Sequence, residues 1–271
     1  MGEFQGQFCS CPRNGDCGRV SFHSERQAPR TLIFALLRED HIIFASDRRH
    51  VQGHEDARYI NDDCWKTQAI LGNRAMLGFA GDDLTEQVIE ELKRNGGSLE
   101  GGCVSGVADS VCEVARKKVN RIALPAPVPP MEFLIAGFLE DGGKNLATCF
   151  TLSRDNQMFL PHRYSFSAER GHCNFHVIGR HRHGALYILL KCAGEMTTVE
   201  AGTRLAYFTL CEVGKYDIGV GGPPQVCIIR PNQKVEDRSD NLQEEKKWVA
   251  EKSEEIRKII TGVSHERDTA C

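Results

Sequence analysis

The chain carries the sequence RTLIFALLREDHIIFASDRR at residues 30–49. Two apolar runs, Thr31–Leu37 and His41–Ser46, flank a polar tripeptide that has the length of a hairpin connection, and they therefore predict two antiparallel strands. In the first run both alternating sets of side chains are apolar, whereas a strand with one face in water would alternate apolar and polar residues. The first strand is therefore predicted to be covered on both faces, inside a sandwich of sheets.

Thr31 and Asp47 stand at the outer ends of this hairpin. With Glu39 at the centre of the connection they lie equally far from the turn, so antiparallel pairing predicts that they face each other on the same side of the sheet. A threonine hydroxyl attacks a carbonyl only with help from an adjacent base or a free α-amino group. Thr31 is therefore either a reaction centre or the first β-branched residue of an ordinary strand.

Lys66 opens a second predicted hairpin. The segment DCWKTQAILGNRAMLGFAGD, residues 63–82, gives strand, turn and strand, with Gly72 and Asn73 in the turn. A lysine at the mouth of a strand beside a buried aspartate could lower a reaction barrier electrostatically. The alternative is a salt bridge that closes the end of a sheet.

The remaining segments alternate between helical and strand patterns. Helical periodicity covers residues 84–92, 101–120, 184–191 and 198–214, and the proline-rich connector LPAPVPP ends the second helix. Strand patterns cover residues 131–143, 145–160 and 225–230. Strands covered on both faces and helices arriving in pairs predict an α+β fold, a four-layer αββα sandwich of two antiparallel sheets flanked by helix pairs.

In this order and spacing the segments resemble a subunit of the proteasome-type N-terminal nucleophile (Ntn) hydrolases, from about residue 31 to residue 230. The matching segments are TLIFALL with HIIFASDRR, Lys66 with AILGNRAMLGFAGD, FLIAGFLEDGG, VIG before the third helix, and KYDIGVGGPPQVCII. The resemblance implies the same sandwich fold. It also implies a peptide or protein substrate, a homo-oligomeric ring that encloses a chamber, and no metal or organic cofactor.

The resemblance also implies a role for individual residues. Thr31 matches the nucleophile, which in active family members becomes the N-terminus when a propeptide is removed. Asp47 and Lys66 match the aspartate and the lysine beside it, and Asp217 matches the aspartate of the last helix-to-strand turn. Gly81 matches the position whose backbone amide faces the developing oxyanion.

Three positions depart from the family pattern. Arg30 stands where active members carry glycine before the nucleophile, and Arg180 and Val220 stand where two supporting serines are expected. Two functions therefore remain open. The chain is either a threonine-type amide or peptide hydrolase, or a structural proteasome-like subunit without catalysis.

Bulk composition narrows the class of protein. The 271 residues carry a formal net charge of −3, which gives no reason to expect a nucleic-acid partner. No stretch reaches the roughly 20 consecutive apolar residues of a membrane helix, and the N-terminal residues lack the pattern of a secretory signal. Without export, the 12 cysteines are expected to be reduced thiols in a cytoplasmic protein.

Two groups of cysteine and histidine residues are weaker candidates for zinc. Cys9, Cys11, Cys17 and His23 match no common spacing of a closed zinc site, so a flexible leader or propeptide is the preferred interpretation of residues 1–30. The stretch GHCNFHVIGRHRHG has the alternation of a strand, so its imidazoles are expected on a solvent face.

The predicted domain organisation has three parts. Residues 1–30 form the leader, 31–235 the Ntn hydrolase domain, and 236–271 an amphipathic helix with a tail. In the last segment Leu242, Val249, Ile256 and Val263 recur every seven residues between charges. Docking of this stripe on the chain's own domain is favoured over an independent coiled coil.

Overall fold

The computed structural model describes residues 31–52, 59–81, 83–95, 99–100, 102–121, 131–155, 158–169, 174–179, 182–217 and 219–261. Twelve strands lie in these ranges: Leu32–Leu37 (β1), Ile42–Ser46 (β2), His50–Gln52 (β3), Tyr59–Asn61 (β4), Thr67–Ile70 (β5), Ala75–Ala80 (β6), Glu132–Asp141 (β7), Lys144–Asp155 (β8), Met158–Ser165 (β9), Phe175–Gly179 (β10), Gln225–Ile229 (β11) and Glu236–Asp237 (β12). The α-helices of the same ranges are Asp83–Arg94 (α1), Val104–Asn120 (α2), Arg182–Cys192 (α3), Val199–Tyr216 (α4) and Gln243–Thr261 (α5).

The strands form two five-stranded sheets and one small hairpin. The first sheet has the order β10-β1-β2-β11-β12 and the second the order β5-β6-β7-β8-β9, while β3 pairs with β4. Every pairing is antiparallel. The predicted pair of antiparallel sheets is confirmed.

Strand β1 shows how the layers stack. All of its residues are buried. Ile33, Ala35 and Leu37 pack with side chains of the second sheet, such as Met76 and Leu134, and so fill the layer between the sheets. The alternate residues of β1 belong to a separate cluster with α3 and α4. The doubly apolar pattern of the sequence thus corresponds to two different apolar layers, one on each face of the strand.

Helices cover the outer face of each sheet. Buried side chains of α1 and α2 pack on the second sheet, and those of α3 and α4 pack on the first. These layers complete the predicted αββα sandwich. Helix α5 adds a third helix to the first-sheet side, where Leu242, Trp248 and Val249 pack in the same cluster. Two residues of the predicted stripe, Leu242 and Val249, thus dock on the chain's own domain.

The register of the first hairpin differs from the sequence prediction. Leu37 pairs with Ile42, and Ile33 pairs with Ser46, so the connection has four residues, 38–41, instead of three. The amide of Arg38 donates to the carbonyl of His41 at 2.9 Å and closes this turn. Asp47 therefore lies opposite Leu32, with which it exchanges hydrogen bonds, and the predicted pairing of Thr31 with Asp47 is wrong by one residue.

The two glycines between β7 and β8 form the turn that joins these strands. Gly142 and Gly143 have φ angles of +59° and +78°, a left-handed conformation that other residues adopt only at a cost. A Cβ atom on either glycine would meet open space. Glycine is used at this turn for its backbone conformation and not because the site is crowded.

Among the helices in the described part of the chain, none combines the length and the apolar character needed to cross a bilayer.

Candidate active site

Polar residues of both sheets meet at one end of the sandwich. The first sheet contributes the residues around the start of β1 and the ends of β2 and β10, and the second contributes the starts of β5 and β7 and the end of β6. The contacts that join the sheets there include one between Lys66 and Asp47 and one between Glu132 and the amide of Gly179. The sequence-predicted residues Thr31, Asp47 and Lys66 all belong to this end.

Asp47 is the centre of the cluster. Its side chain is 1% exposed, and Oδ1 accepts a hydrogen bond of 2.8 Å from the amide of Leu32, the residue next to Thr31. The other oxygen, Oδ2, accepts from Lys66 Nζ at 2.8 Å and from the amides of Arg49 and Gly221 at 3.2 and 3.4 Å. Several donors thus compensate for the burial of one carboxylate.

Lys66 is buried beside it, with its side chain 7% exposed. Nζ donates to Asp47 and also to the carbonyl of Arg49. Burial lowers the pKa of Lys66 from its ordinary value, and the charge and hydrogen bond of Asp47 oppose that change. Burial likewise raises the pKa of Asp47, opposed by Lys66 and by the amide of Leu32. In each group the partner's charge thus opposes the effect of burial.

Thr31 precedes β1 and is 5% exposed. Its carbonyl packs tightly against Gly179, where a Cβ atom would lie 1.9 Å from the Thr31 oxygen. Gly179 has a φ angle of +105°, so both the crowding and the backbone require glycine. The backbone of Thr31 is therefore fixed from one side by Gly179, and that of Leu32 from the other by Asp47.

Asp217 ends helix α4 and begins the turn that leads back to the cluster. Its Oδ1 accepts from the amide of Gly219 at 2.8 Å, and its carbonyl accepts from the amide of Val220. The next residue, Gly221, donates to Asp47. The backbone of one tight turn thus connects Asp217 to the ion pair. Within this turn, the Val220 side chain packs in the apolar cluster of the first-sheet helices.

Gly81 lies between the end of β6 and the start of α1. A Cβ atom there would lie 1.6 Å from Oγ1 of the buried Thr85, so only glycine fits. Gly81 is at the same end of the second sheet as Lys66, because the amide of Phe79 donates to the Lys66 carbonyl. Arg30 and Arg180, the other departures from the family pattern, lie outside the described residues.

Sequence reasoning missed three residues of the cluster. The backbone of Arg49 contacts both members of the ion pair, because its amide donates to Asp47 and its carbonyl accepts from Lys66. Its guanidinium donates two hydrogen bonds of 2.6 and 3.0 Å to Asp62. The carbonyl of Gly221 accepts the amides of Arg48 and Arg49. Arg49 and Gly221 lie in the segments that carry the family resemblance, so the resemblance could have identified them.

Glu132 is the third missed residue. Its Oε2 accepts the Gly179 amide at 2.6 Å, and Arg182 Nη1 lies 3.5 Å from its Oε1. In the sequence it is a single carboxylate ahead of an apolar strand, which gives no signal of a site. The structure shows that it ties the start of β7 to the strand beside Thr31.

Two cavities adjoin the cluster. One of about 250 Å³ lies against Asp47, between Arg49 and the C-terminal end of α4 near Lys215. The other, of about 530 Å³, is a groove between α3 and α4; Asp217 contributes to its lining, with Tyr187, Phe208 and Tyr216 among its aromatic residues. One small cavity therefore borders the ion pair at Asp47, and one larger, mainly apolar groove borders Asp217.

Within the described ranges, no group of three or more His, Cys, Asp or Glu side chains has an arrangement that could hold a metal ion.

Two face-to-face antiparallel sheets, with helices on both outer faces and polar residues gathered at the strand ends, define the proteasome-like αββα sandwich. Solved structures of Anbu share this fold. Anbu from Pseudomonas aeruginosa, solved as a helical assembly of the Anbu complex, is 17% identical with a TM-score of 0.67, and the match covers 89% of this chain and 100% of that chain. Anbu (ancestral β-subunit) from Yersinia bercovieri is 15% identical with a TM-score of 0.64, covering 88% and 100%.

A third Anbu structure, from Hyphomicrobium sp. strain MC1, is 17% identical with a TM-score of 0.62, covering 87% of this chain and 99% of that chain. No protein-family model matches the chain, and no curated protein matches it. At these identities the likeness establishes the fold.

Proposed function

We propose that this chain is a threonine-type amide hydrolase of peptides or proteins, activated by cleavage between Arg30 and Thr31. The observation that supports the proposal best is the buried hydrogen bond from the amide of Leu32 to Asp47, which is itself paired with Lys66. This arrangement fixes the chain next to Thr31 in a charged, water-poor environment. Preorganised charge of this kind is what nucleophilic catalysis requires.

The proposed reaction uses Thr31 for two tasks. Oγ1 bonds to the carbonyl carbon of the substrate amide, and its proton passes to the free α-amino group of Thr31, whose reference pKa near 7.7–8.0 suits a base at neutral pH. The C–N bond then breaks, and the leaving amine takes that proton. Water attacks the resulting ester, which releases the acid and restores the hydroxyl.

The neighbouring residues have supporting roles in this proposal. Asp47 and Lys66 set the electrostatic field at the nucleophile, and Asp217 orients the amine. The amide of Gly81 donates to the oxyanion, a contribution typically worth about 2.7–4 kcal/mol for one preorganised donor. The reaction needs no cofactor in this scheme. We also propose a cytoplasmic location, in which the cysteines would be reduced thiols.

A second candidate function is a structural subunit that keeps the sandwich without catalysis. The observation that favours it is Val220, which is fully buried in an apolar cluster at a position where the resemblance expects a serine. Its side chain has no hydroxyl to relay a proton to the amine of Thr31.

The test compares chains that begin at residue 31, with wild-type sequence, Thr31→Ala or Thr31→Ser, on a panel of fluorogenic peptides. We expect hydrolysis by the wild type, partial retention by Thr31→Ser and loss with Thr31→Ala, because removal of the nucleophile abolishes the covalent route. The matched control is Thr203→Ala, which removes another buried threonine whose hydroxyl bonds inside α4. Equal activity of wild type and Thr31→Ala, or no activity in either, favours the structural subunit.

Intact-mass measurement of the full-length protein gives an independent answer. A species that begins at Thr31 supports the hydrolase, whereas a stable chain that retains Arg30 supports the structural subunit.

The proposal includes a homo-oligomeric ring. Tyr187, Leu190 and Tyr216, on α3 and α4, have exposed fractions of 67%, 49% and 88%, although their side chains are large and apolar or aromatic. Exposed patches of this kind often mark interfaces. Light scattering at micromolar concentration is expected to show an oligomer, and Tyr187→Glu should weaken it more than Leu160→Glu, a control at an exposed residue of β9. A monomeric wild type would contradict this part of the proposal.

A further inference from the structure

Three buried polar side chains lie next to the apolar residues of the layer between the sheets. Ser46, Thr67 and Gln225 have exposed fractions of 0%, 5% and 4%. Thr67 Oγ1 donates to Gln225 Oε1 at 2.6 Å, and Ser46 Oγ lies 3.4 Å from the same oxygen. Thr67 thus makes the shorter of the two contacts to Gln225, and its length lies within the usual range for a hydroxyl donor.

The link connects the two sheets beside the ion pair. Thr67 begins β5 of the second sheet and directly follows Lys66, while Gln225 begins β11 of the first sheet. Gln225 pairs with Ser46, the residue before Asp47. The Thr67–Gln225 hydrogen bond is therefore one residue inward from the Lys66–Asp47 contact and runs between the same two sheets.

Apolar packing alone would not fix this geometry. Alkyl side chains in contact tolerate small sliding displacements, because dispersion and hydrophobic attraction are non-directional. A hydrogen bond is directional and weakens steeply with distance and angle. A fully satisfied buried polar link therefore restricts how β5 can move relative to β11, and with it the position of Lys66.

We propose that Gln225 is a positioning residue for the Lys66–Asp47 pair. Its hydrogen bond with Thr67 fixes the start of β5, relative to the first sheet, in the position that brings Lys66 Nζ within hydrogen-bond distance of Asp47 Oδ2. The effect on Lys66 follows from geometry alone, whereas its consequence for catalysis rests on the proposed function.

The first experiment measures Lys66 directly and needs no activity. The ¹⁵Nζ resonance of Lys66, assigned by its absence in Lys66→Arg, is compared among variants of the folded full chain. We expect it to shift in Thr67→Val and in Gln225→Met but to stay in place in Thr67→Ser, which keeps the hydroxyl. The control is Thr148→Val, which removes a buried hydroxyl of β8 that bonds inside its own sheet.

Each outcome decides the proposal. An unmoved resonance in Thr67→Val and Gln225→Met overturns it, and so does an equal shift in Thr148→Val. Where Thr67→Val does not fold, Gln225→Met carries the test, because methionine is close to glutamine in size and its sulfur is only a weak acceptor for the Thr67 hydroxyl.

The second experiment measures hydrolysis by chains that begin at residue 31. A displacement of Lys66 should lower kcat between tenfold and about a hundredfold in Thr67→Val and Gln225→Met, as for other small misplacements of site groups. We expect KM to change less than about twofold and Thr67→Ser to retain activity, since the substrate contacts are unaltered. A wild type without hydrolysis contradicts the proposed function, while the resonance data still decide the role of Gln225.

Discussion

Lys66 Nζ and Asp47 Oδ2 lie 2.8 Å apart at the junction of the two sheets, and the two side chains are 7% and 1% exposed. Each charge has lost most of its hydration, so each depends on the other and on the surrounding hydrogen bonds. The pair is therefore a strong local constraint on the structure even before any catalytic role is considered.

Removal of one partner of this pair should be costly. We expect Lys66→Met to lower the free energy of unfolding by about 3–5 kcal/mol, because it leaves the carboxylate of Asp47 buried without its partner. The matched control is Lys93→Met, which breaks an exposed helical pair with Glu90 and should cost less than about 0.5 kcal/mol. Urea denaturation checks both values. Similar losses in the two variants would show that the site pair is not effectively buried.

Replacement of Gly179 should disturb the chain at Thr31. In Gly179→Ala the new Cβ would lie 1.9 Å from the carbonyl oxygen of Thr31, so one of the two segments must move. Gly142→Ala is the control, since its φ is also positive but its Cβ would meet open space. We expect Gly142→Ala to cost about 1–2 kcal/mol from backbone conformation alone, and Gly179→Ala at least about 1–3 kcal/mol more from overpacking. Equal melting-temperature losses would argue against the close contact.

Alkylation should separate the cysteines by their environments. Cys103 is exposed, and the hydrogen bonds of its thiol with Ser105 and with nearby backbone lower its pKa. Burial raises the pKa of Cys112 to about 11 and that of Cys227 to about 12. Because the thiolate is the reacting form, iodoacetamide should modify Cys103 at lower pH than the other two. Peptide mass spectrometry measures the order, and Ser105→Ala should slow Cys103.

The opposite order of alkylation, or no effect of Ser105→Ala, would contradict this assignment. Because the measurement resolves each cysteine separately, the cysteines outside the described residues do not affect it.

Acid should remove the stabilisation that Glu236 provides between β11 and β12. Hydrogen bonds from Arg230 and Arg238, each 2.6 Å long, lower the pKa of Glu236. The unfolded chain, with a glutamate pKa near 4.3, then binds the proton more readily than the folded chain. The contribution is therefore fully present above that pH and is lost as the pH falls through the folded-state pKa.

This pH dependence can be measured by difference. The stability gap between wild type and Glu236→Gln should be widest at neutral pH and shrink towards pH 3, as followed by urea denaturation at each pH. Since Glu236 is about 39% exposed, the gap is expected to be modest. A gap that widens in acid would reverse the sign of the proposed linkage.

The layers of the fold could be predicted from the sequence because they follow from periodicity. The apolar residues on both faces of β1 require two buried layers, and the stripes of α1, α2 and α4 select their inward faces. The register of the first hairpin could not be predicted in this way. The apolar run of the sequence includes His41, but the His41 carbonyl closes a four-residue turn, and this shifts the partner of Asp47 by one position.

The ion pair of the candidate site could be predicted, but its surroundings could not. Lys66 and Asp47 each stand at a strand end, where family resemblance and hairpin geometry both place them. Glu132 and Gln225 meet their partners only because of how one sheet lies on the other. Such contacts join residues that are distant in sequence, and no local pattern encodes them. Catalytic roles for the predicted residues stay predictions.

The polar links between the sheets gather at one end, while most of the layer behind them consists of apolar side chains. Cores of this kind accept many combinations of apolar residues if total volume is kept. A lineage could therefore replace most of the intersheet layer over time while the junction around Asp47 stayed nearly unchanged. Sequence divergence should then be uneven along each strand, slow at the residues nearest this junction and fast a few residues further in.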